Sequence, residues 1–340
     1  MKVLGIETSC DETSAAVVED GFKILSNVIA TQIPFHAPWN GVVPEIASRK
    51  HTEWIYTVTK EAIEKANLKI ENIDAVAVTS RPGLLGSLLV GLSFAKAFSW
   101  ARNIPYIAVD HMLAHLYAPM LVQNIDQRPE YPFLGLLVSG GHTIICRADN
   151  FDDITILGTT IDDAAGEAFD KVAKYYNFGY PGGLVIDKMA RNGDSDAFRF
   201  PMPSLHKGDH RYDVSYSGIK NAVINQLETF KKKNNYTNND IAASFQKTAI
   251  EILLRALFNA AEDTGLSTIV AGGGVAANSL LRERLTEQKH LCCFFPPLDL
   301  CGDNAAMIAG LGYQYLARGE NSPLNVIAQA RVSGFKKKYP

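Results

Sequence analysis

The chain contains 340 residues, enough for about two domains at a typical ~150 residues each. Apolar residues make up 47% and charged residues 20%, a globular composition that excludes an extended disordered chain. The net charge of −3 excludes a strongly basic nucleic-acid-binding protein but is compatible with a local basic patch.

Cysteine content and hydropathy predict a soluble cytoplasmic protein. The five cysteines are odd in number and form no C-x-x-C pair, so neither a disulfide framework nor a Cys-rich zinc module is expected. The longest uncharged apolar stretch, residues 84–95, is too short and too rich in Gly and Ser to span a bilayer. Glu7 falls where a signal peptide would need apolar residues.

The first 132 residues alternate short apolar runs with segments whose apolar residues recur at helical spacing. The first pattern predicts strands and the second predicts helices. The expected order is strands 2–7, 14–19 and 23–30, helix 44–67, strand 74–79, helix 86–102, strand 106–109 and helix 112–121.

The sequence Pro129-Glu130-Tyr131-Pro132 is typical of a junction, and the pattern restarts after it. We therefore predict a first lobe over residues 1–132 and a second over 133–340. The second lobe carries a less regular inserted segment near 179–239, and its last helix could pack back on the first lobe. The expected order is strands 133–138, 143–147 and 154–157, helix 164–176, helix 240–264, strand 268–271, helix 278–288, strand 291–295 and helix 304–318.

The two halves indicate an internal duplication. At an offset of 130, identical residues pair as Leu4/Leu134, Gly5/Gly135, Ser9/Ser139 and Thr13/Thr143. The alternative is a chance similarity of two β-turns, but the order of elements also agrees. The sequence thus predicts an α/β protein with two related lobes around a central cleft, where backbone N–H groups of polar turns could bind phosphate.

Two polar turns are candidate ligand-binding segments. The first, residues 8–13, carries Asp11 among hydroxyl and carboxylate side chains, and the second, residues 139–143, carries Gly140 and Gly141. Glycines there let a backbone approach a ligand closely. The alternative for the first turn is a surface hairpin turn, where such residues are common, and for the second a tight hairpin that needs a positive φ at the glycines.

A third loop, residues 272–277, matches G-x-G-x-x-A between a strand and a helix. A dinucleotide site would also need an acid at the end of the next strand, and residues 291–297 contain none, so NAD is rejected. A loop that contacts adenine or ribose stays open, with Asn278 as a polar contact. Asn278 could equally be the N-cap of its helix.

His111 and His115 lie four residues apart, on one face of a predicted helix, and this spacing suits one metal ion. Met112 stands where a zinc peptidase needs its catalytic Glu, so that class lacks its general base. Asp303, at the start of a helix, is the best candidate for a third ligand. Its alternative role is an N-cap.

Other motifs are less specific. Residues 162–170 place four acids at a helix start, which suits the helix dipole. Glu167 and Asp170 lie on one face of that helix and could together contact ribose hydroxyls or an ammonium group. A turn at 179–183 is followed by Asp187. Ser217 and Lys220 fit S-x-x-K without the other motifs of a β-lactamase. The lysine runs 231–233 and 336–338 are either ordinary solvent-exposed surface or segments that contact a phosphate backbone.

Taken together and in this order, the segments resemble the bacterial TsaD family of tRNA threonylcarbamoyladenosine transferases, formerly called glycoproteases. The resemblance runs from Met1 to about Arg331 and is carried by residues 5–13, 111–115, 138–143, 162–170, 216–220, 272–278 and 303–304. Residues 335–340 lie outside it. It implies the duplicated actin/sugar kinase/Hsp70-like fold. It also implies transfer of threonylcarbamoyl from threonylcarbamoyl-AMP to N6 of the adenine 3′ of the anticodon, in tRNAs that read codons starting with A.

The resemblance also implies roles for individual residues, and the sequence departs from the family at none of them. One divalent metal, usually Fe²⁺ with Zn²⁺ as the alternative, would be held by His111, His115 and Asp303. Implied partners are tRNA, a paralogous TsaB-like subunit and a small TsaE-like ATPase, with no membrane. The adenylate would be bound by Leu137, Val138, Ser139, Gly140, Gly141, Asp170, Gly183, Asp187 and Asn278.

Asp11 is the candidate group to take the N6 proton or orient the amine, from its position in the first turn. A kinase or ATPase of the same fold would need acids in both phosphate turns, and the second turn has none. A non-enzymatic partner subunit of this fold would be expected to lack the His-His-Asp set, which this chain retains.

Overall fold

The computed structural model describes residues 1–122, 127–205, 208–226 and 236–332. The strands are β1 (Lys2–Glu7), β2 (Glu12–Glu19), β3 (Lys23–Thr31), β4 (Ala75–Arg81), β5 (Tyr106–Asp110), β6 (Phe133–Val138), β7 (Thr143–Ala148), β8 (Ile154–Thr159), β9 (Thr268–Gly272) and β10 (Cys292–Phe294). The α-helices are α1 (Ile33–His36), α2 (Pro44–Lys65), α3 (Leu85–Arg102), α4 (His111–Tyr117), α5 (Ala165–Tyr176), α6 (Gly182–Ala190), α7 (Ser217–Asn225), α8 (Asn238–Thr264), α9 (Ser279–Thr286) and α10 (Ala305–Ala317). No helix in these ranges has the length and apolar character needed to cross a membrane.

The chain divides into two compact units. The first comprises residues 1–129 together with the segment that starts at Pro296, and the second comprises Glu130–Phe295. Helix α10 therefore belongs to the first unit, although the sequence division assigned residues 133–340 to the second lobe. The reason is that α10 packs on β1, β2 and β4.

The first unit contains a five-stranded sheet in the order β3-β2-β1-β4-β5, in which β1, β4 and β5 are parallel and β2 and β3 run antiparallel. Leu4 and Ile6 of β1 pack with apolar residues of α2 and α3. Gly5, which points to the other face, lies against Ala305 and Ala309 of α10. Helices therefore cover both faces, which explains why β1 is continuously apolar rather than alternating.

The second unit repeats this topology, because its sheet has the order β8-β7-β6-β9-β10. Leu134 and Leu136 of β6 pack in one core with Phe169 of α5 and Phe245 of α8. The two aromatic rings meet edge to face at 5.1 Å between centroids.

Strand register confirms that the two lobes are related. Gly5 lies opposite Ala16 in the first hairpin, and Gly135 lies opposite Cys146 in the second. Both members of the second pair are 130 residues beyond those of the first, the offset that the sequence indicated. A chance similarity of two turns would not preserve the register of the paired strands.

The predicted irregular segment 179–239 contains two helices that sequence reasoning missed, α6 and α7. Helix α6 begins with two glycines, which weaken intrinsic helix propensity. Gly182 allows close contact with Phe169, Asp170 and Ala173 of α5, so tertiary packing stabilises this helix. The predicted helix 112–121 instead starts at His111 and becomes a 3₁₀ turn at Ala118–Met120.

Substituting Gly5 with alanine tests the packing of α10 on β1. A Cβ at this position would lie 2.9 Å from the Ala309 backbone nitrogen and closer still to the Ala305 carbonyl oxygen. Because the obstructing atoms are backbone, we expect Gly5→Ala to lower the free energy of unfolding by about 3 kcal/mol or more, measured by denaturant titration. Gly218→Ala is the control, since nothing lies within 4 Å of that Cβ position; equal effects of the two changes would contradict the packing argument.

Candidate functional site

The two candidate metal-binding histidines lie on α4, which begins directly after β5. Asp110, the last residue of β5, caps this helix by accepting hydrogen bonds from Met112 N (2.9 Å) and Leu113 N (3.4 Å). Its other carboxylate oxygen accepts a hydrogen bond from Arg81 Nε at 3.1 Å. The start of α4 is therefore fixed by a capped, buried carboxylate, and His111 and His115 follow one helical turn apart.

Asp303 faces these histidines from the segment before α10. Its Oδ1 lies 3.1 Å from His115 Nε2 and 3.4 Å from His111 Nε2. The alternative role for Asp303, the helix N-cap, is excluded because Asn304 caps α10 through a bond from Met307 N to its Oδ1 at 3.1 Å. The Asp303 carboxylate is thereby left to face the imidazoles.

These three side chains are arranged as a metal site would require. One potential ligand atom from each of His111, His115 and Asp303 lies within 4.8 Å of the others. The His115 side chain is buried, and within the described part of the chain its Nδ1 has no hydrogen-bond partner. Two imidazole nitrogens and one carboxylate oxygen suit Zn²⁺ or Fe²⁺, so the donor set fits the implied ion.

The charges of this cluster are strongly coupled. Burial raises the pKa of the Asp303 carboxyl, but the neighbouring His111 and His115 outweigh burial and hold that pKa far below its ordinary value. Burial disfavours charge on His111, yet the carboxylates of Asp303 and Glu7 raise its pKa well above 6.5. Burial and the charge of His111 lower the pKa of His115. The carboxylates of Asp303 and Glu7 thus favour positive charge at this cluster.

The first polar turn carries a pair of acids, of which sequence reasoning singled out only one. Asp11 is almost buried. Burial, followed by the charges of Asp11 and Asp303, raises the pKa of Glu12 well above 4.5. Glu12 also accepts a hydrogen bond from Thr31 Oγ1 at 3.1 Å. The two adjacent acids in the sequence could have indicated this, since a neighbouring negative charge favours the protonated form of a carboxyl group such as that of Glu12.

A buried polar network holds this turn from behind. His51, fully buried on α2, donates from Nε2 to the Cys10 carbonyl oxygen at 2.9 Å. Its Nδ1 therefore accepts a hydrogen bond, and Thr13 Oγ1 donates to it at 2.8 Å. The neutral imidazole, with one donor and one acceptor, thus ties both sides of Asp11 to α2.

The same network extends to α1. Val43 N donates to His36 Nδ1 at 3.2 Å, so His36 Nε2 is the donor to Gln32 Oε1 at 3.2 Å. Gln32 then directs its amide nitrogen towards His51 Nδ1 at 3.4 Å. Each side chain has a defined donor and acceptor role, and a proton added to His51 would remove the acceptor used by Thr13 and Gln32.

In the second unit, the loop after β6 exposes bare backbone. Ser139 N donates to the His142 carbonyl oxygen at 2.9 Å, which closes the turn. Gly140 and Gly141 have no positive φ, and no atom lies within 4 Å of the position a Cβ would take. The alternative that a tight hairpin requires these glycines is therefore wrong. Glycine here leaves room for a ligand to reach the backbone.

Gly183 and Gly274 have the same property. Gly183 lies in the first turn of α6, and Gly274 lies in the loop after β9, both with open space at the Cβ position. Gly273, at φ 91°, packs against the Val138 carbonyl group, so the loop after β9 lies beside the end of β6. Gly274 was not among the predicted residues, although it belonged to the G-x-G-x-x-A match.

Asp170 and Asp187 act on the loops through hydrogen bonds. Asp170 Oδ1 accepts from Gly182 N at 2.7 Å, which fixes the start of α6. Asp187 Oδ1 accepts from Ser279 N (3.0 Å) and Ser279 Oγ (2.7 Å). Its Oδ2 accepts from Arg191 at 3.1 Å. Asp170 thus fixes the backbone beside Gly183, and Asp187 fixes the start of α9, which follows the loop that contains Gly274.

Asn278 is the N-cap of α9, the alternative role that the sequence left open. Its Oδ1 accepts from Leu281 N at 3.0 Å, and its Nδ2 donates to Gln246 Oε1 at 2.9 Å. The structure therefore brings Asp187 and Asn278 to the same end of α9.

The remaining motifs have structural partners or lie outside the described residues. Lys220 of the S-x-x-K match forms an ion pair with Asp163 at 2.6 Å, and Ser217 N donates to Asp162 at 3.3 Å. The lysine runs 231–233 and 336–338, and the tail 335–340, lie outside the described residues.

The chain matches the family model described as "TsaD: tRNA N6-adenosine threonylcarbamoyltransferase" over residues 23–310. A protein of that name from Treponema denticola is 66% identical over 339 residues, covering 99% of each chain. A Borreliella burgdorferi protein of the same name is 54% identical over 341 residues, covering 100% of this chain and 96% of the relative.

Solved structures confirm the predicted fold class. Component A of (R)-2-hydroxyglutaryl-CoA dehydratase from Acidaminococcus fermentans matches 93% of this chain and 99% of its own, with TM-score 0.55 and 16% identity. Full-length HypF in its phosphate- and nucleotide-bound form matches 94% of this chain and 47% of its own, with TM-score 0.60 and 14% identity. At these identities the likeness establishes the actin/sugar kinase/Hsp70-like fold alone.

The buried network predicts a specific pH dependence of stability. Burial lowers the pKa of His51 in the folded chain below 6.5, the ordinary value for a histidine. The unfolded chain therefore takes up a proton first as pH falls, and the free energy of unfolding declines below about pH 6.5, by at most ~1.4 kcal/mol per pH unit from this group. We expect His51→Gln to flatten that decline between pH 7 and 5 in denaturant titrations, whereas His290→Gln, on an exposed histidine, leaves it unchanged. An identical decline in His51→Gln would show that His51 does not contribute.

Proposed function

This chain belongs to the TsaD family of tRNA N6-adenosine threonylcarbamoyltransferases, and we propose that it transfers the threonylcarbamoyl group from threonylcarbamoyl-AMP to N6 of the adenine 3′ of the anticodon. The acceptors are tRNAs that read codons beginning with A, and AMP is released. The observation that carries the proposal is the convergence of His111, His115 and Asp303 in a chain of this family.

His111, His115 and Asp303 would hold one divalent ion, Fe²⁺ by preference and Zn²⁺ as the alternative. When bound, such an ion supplies Lewis acidity to the carbamoyl oxygen or to the leaving phosphate. The chain supports this assignment with two buried imidazoles of α4 and the partly buried carboxylate of Asp303, which precedes α10.

The second unit would bind the adenylate. Backbone N–H groups of Gly140 and Gly141 would face its phosphate or the negative charge that develops on transfer. Open space at Gly183 would admit the nucleoside. Asp170, Asp187 and Asn278 would keep these loops in place, and Leu137, Val138 and Ser139 would complete the loop after β6.

Asp11 would take the N6 proton or orient the amine. An adenine amine is a poor nucleophile because its lone pair is delocalised into the ring, so a nearby carboxylate assists its attack. The turn that carries Asp11 is clamped by His51 on both sides, which holds the carboxylate in a defined position. Glu12, whose pKa is raised, is the adjacent proton-holding group.

The reaction would require further components in the cytoplasm. These are the tRNA, a paralogous TsaB-like subunit of the same fold, a small TsaE-like ATPase that supports turnover, and a separate enzyme that makes the adenylate. The net charge of −3 supports the view that tRNA binding depends on partners.

A reconstituted reaction tests the proposed function. The full chain is combined with threonine, bicarbonate, ATP, the adenylate-forming enzyme, both partners and an unmodified tRNA, and the digested nucleosides are weighed by mass spectrometry. We expect threonylcarbamoyladenosine from the wild-type chain and at least a 10²-fold loss in His115→Ala, with loss of bound metal by elemental analysis. His290→Ala, on an exposed histidine, is the matched control. Absence of product beside a working homologue would overturn the proposal.

Asp11→Asn tests the proton-transfer role. The amide keeps the shape of the side chain but cannot accept a proton, so we expect kcat to fall by about 10²- to 10⁴-fold at saturating adenylate, with KM for tRNA little changed. Asp153→Asn, on an exposed acid of the other unit, is the control. A near-normal kcat in Asp11→Asn would assign the proton transfer to another group.

A further inference from the structure

Glu7, the last residue of β1, is a fully buried carboxylate next to the His-His-Asp cluster. Three donors converge on it. Ser9 N donates to Oε1, and Thr79 Oγ1 donates to Oε2. His111 Nδ1 lies 3.0 Å from Oε2. A buried carboxylate is tolerated only when donors surround it, so these contacts explain how the charge is retained inside the protein.

The contact with His111 determines which imidazole nitrogen carries hydrogen. A carboxylate accepts hydrogen bonds, so His111 Nδ1 is the donor. In a neutral imidazole the other nitrogen, Nε2, then keeps its lone pair. That nitrogen is the one that faces Asp303, at 3.4 Å from Oδ1. Glu7 thus selects the tautomer in which the lone pair points to the metal position.

The second histidine has no such support. His115 Nδ1 is buried, and the described residues offer it no hydrogen-bond partner. Its ring is placed by α4 and by the contact with Asp303. Of the two imidazoles, the one on His111 is therefore oriented from behind by a carboxylate, an arrangement that stiffens a ligand and increases its basicity.

We propose that Glu7 is a positioning residue that fixes the tautomer and the ring orientation of His111 for metal binding. The inference rests on the metal centre of the proposed function, not on the transfer reaction. Glu7 also adds a fully buried negative charge to that of the partly buried Asp303, so the two carboxylates together balance the charge of a divalent ion.

Cobalt(II) binding to the metal-free full-length chain is the first test, because its absorption bands report ligand geometry without any transfer assay. We expect Glu7→Gln to weaken Co²⁺ binding by about 10- to 100-fold and to alter those bands. The isosteric amide can present its NH₂ group to His111 and so invert the tautomer. Ser9→Ala is the matched control, because it removes only the longer Ser9 Oγ contact to His111 Nδ1 at 3.3 Å.

Nitrogen-15 NMR of histidine-labelled, metal-free wild-type chain is the second test. We expect the His111 signal, assigned by its absence in His111→Gln, to show hydrogen on Nδ1 and none on Nε2 once the pH is raised until the imidazole is neutral. Wild-type Co²⁺ affinity in a folded Glu7→Gln chain, or a neutral His111 that carries its hydrogen on Nε2 in the wild type, would overturn the inference. If Glu7→Gln does not fold, the wild-type spectrum decides alone. A chain that passes both tests but yields no modified tRNA would retain this inference and lose the proposed function.

Discussion

The close approach of α10 to the middle of β1 is the constraint on which the first unit depends. Gly5 has no side chain, so the backbone of α10 at Ala305 and Ala309 lies directly on the sheet. Asp303 precedes this helix, and the helix packing therefore determines where its carboxylate is placed. The histidines lie at the β5–α4 junction, and His115 is separated from Asp303 by 188 positions along the chain. A side chain at position 5 would move the carboxylate relative to both imidazoles.

Buried charge in this unit is balanced by layers of hydrogen bonds. Asp303 faces two imidazoles, and Glu7 receives a backbone amide, a hydroxyl and His111. Burial alone would favour the neutral carboxyl, but the neighbouring imidazoles lower the pKa of Asp303 and of Glu7. Such compensation is stable only when every partner is in place. Asp110 and Asn304, which cap α4 and α10, therefore help to place the ligand side chains, and His51 fixes the neighbouring polar turn.

The second unit achieves a binding surface differently, by leaving backbone uncovered. Gly140, Gly141, Gly183 and Gly274 are not required by backbone angle or by packing, in contrast to Gly182 and Gly273, which are closely packed. Acidic and amide side chains around them hold the turns through hydrogen bonds. Rigid loops with bare N–H groups are suited to anionic ligands because they need little reorganisation on binding.

The duplicated fold, the order of nearly all strands and helices, and the His-x-x-x-His pair could be read from the sequence, because each depends on local periodicity or on spacing along the chain. Helices α6 and α7 could not, since their glycine-containing or short segments are stabilised by contacts with distant helices. From their positions in the sequence, Asp303 could be a metal ligand or a helix N-cap, and Asn278 could be a ligand contact or a helix N-cap. Tertiary structure decided that Asn304 rather than Asp303 caps α10, and that Asn278 caps α9. It also revealed Glu7 behind His111 and the raised pKa of Glu12, because burial and the approach of residues far apart in the chain set the proton affinity and orientation of these groups.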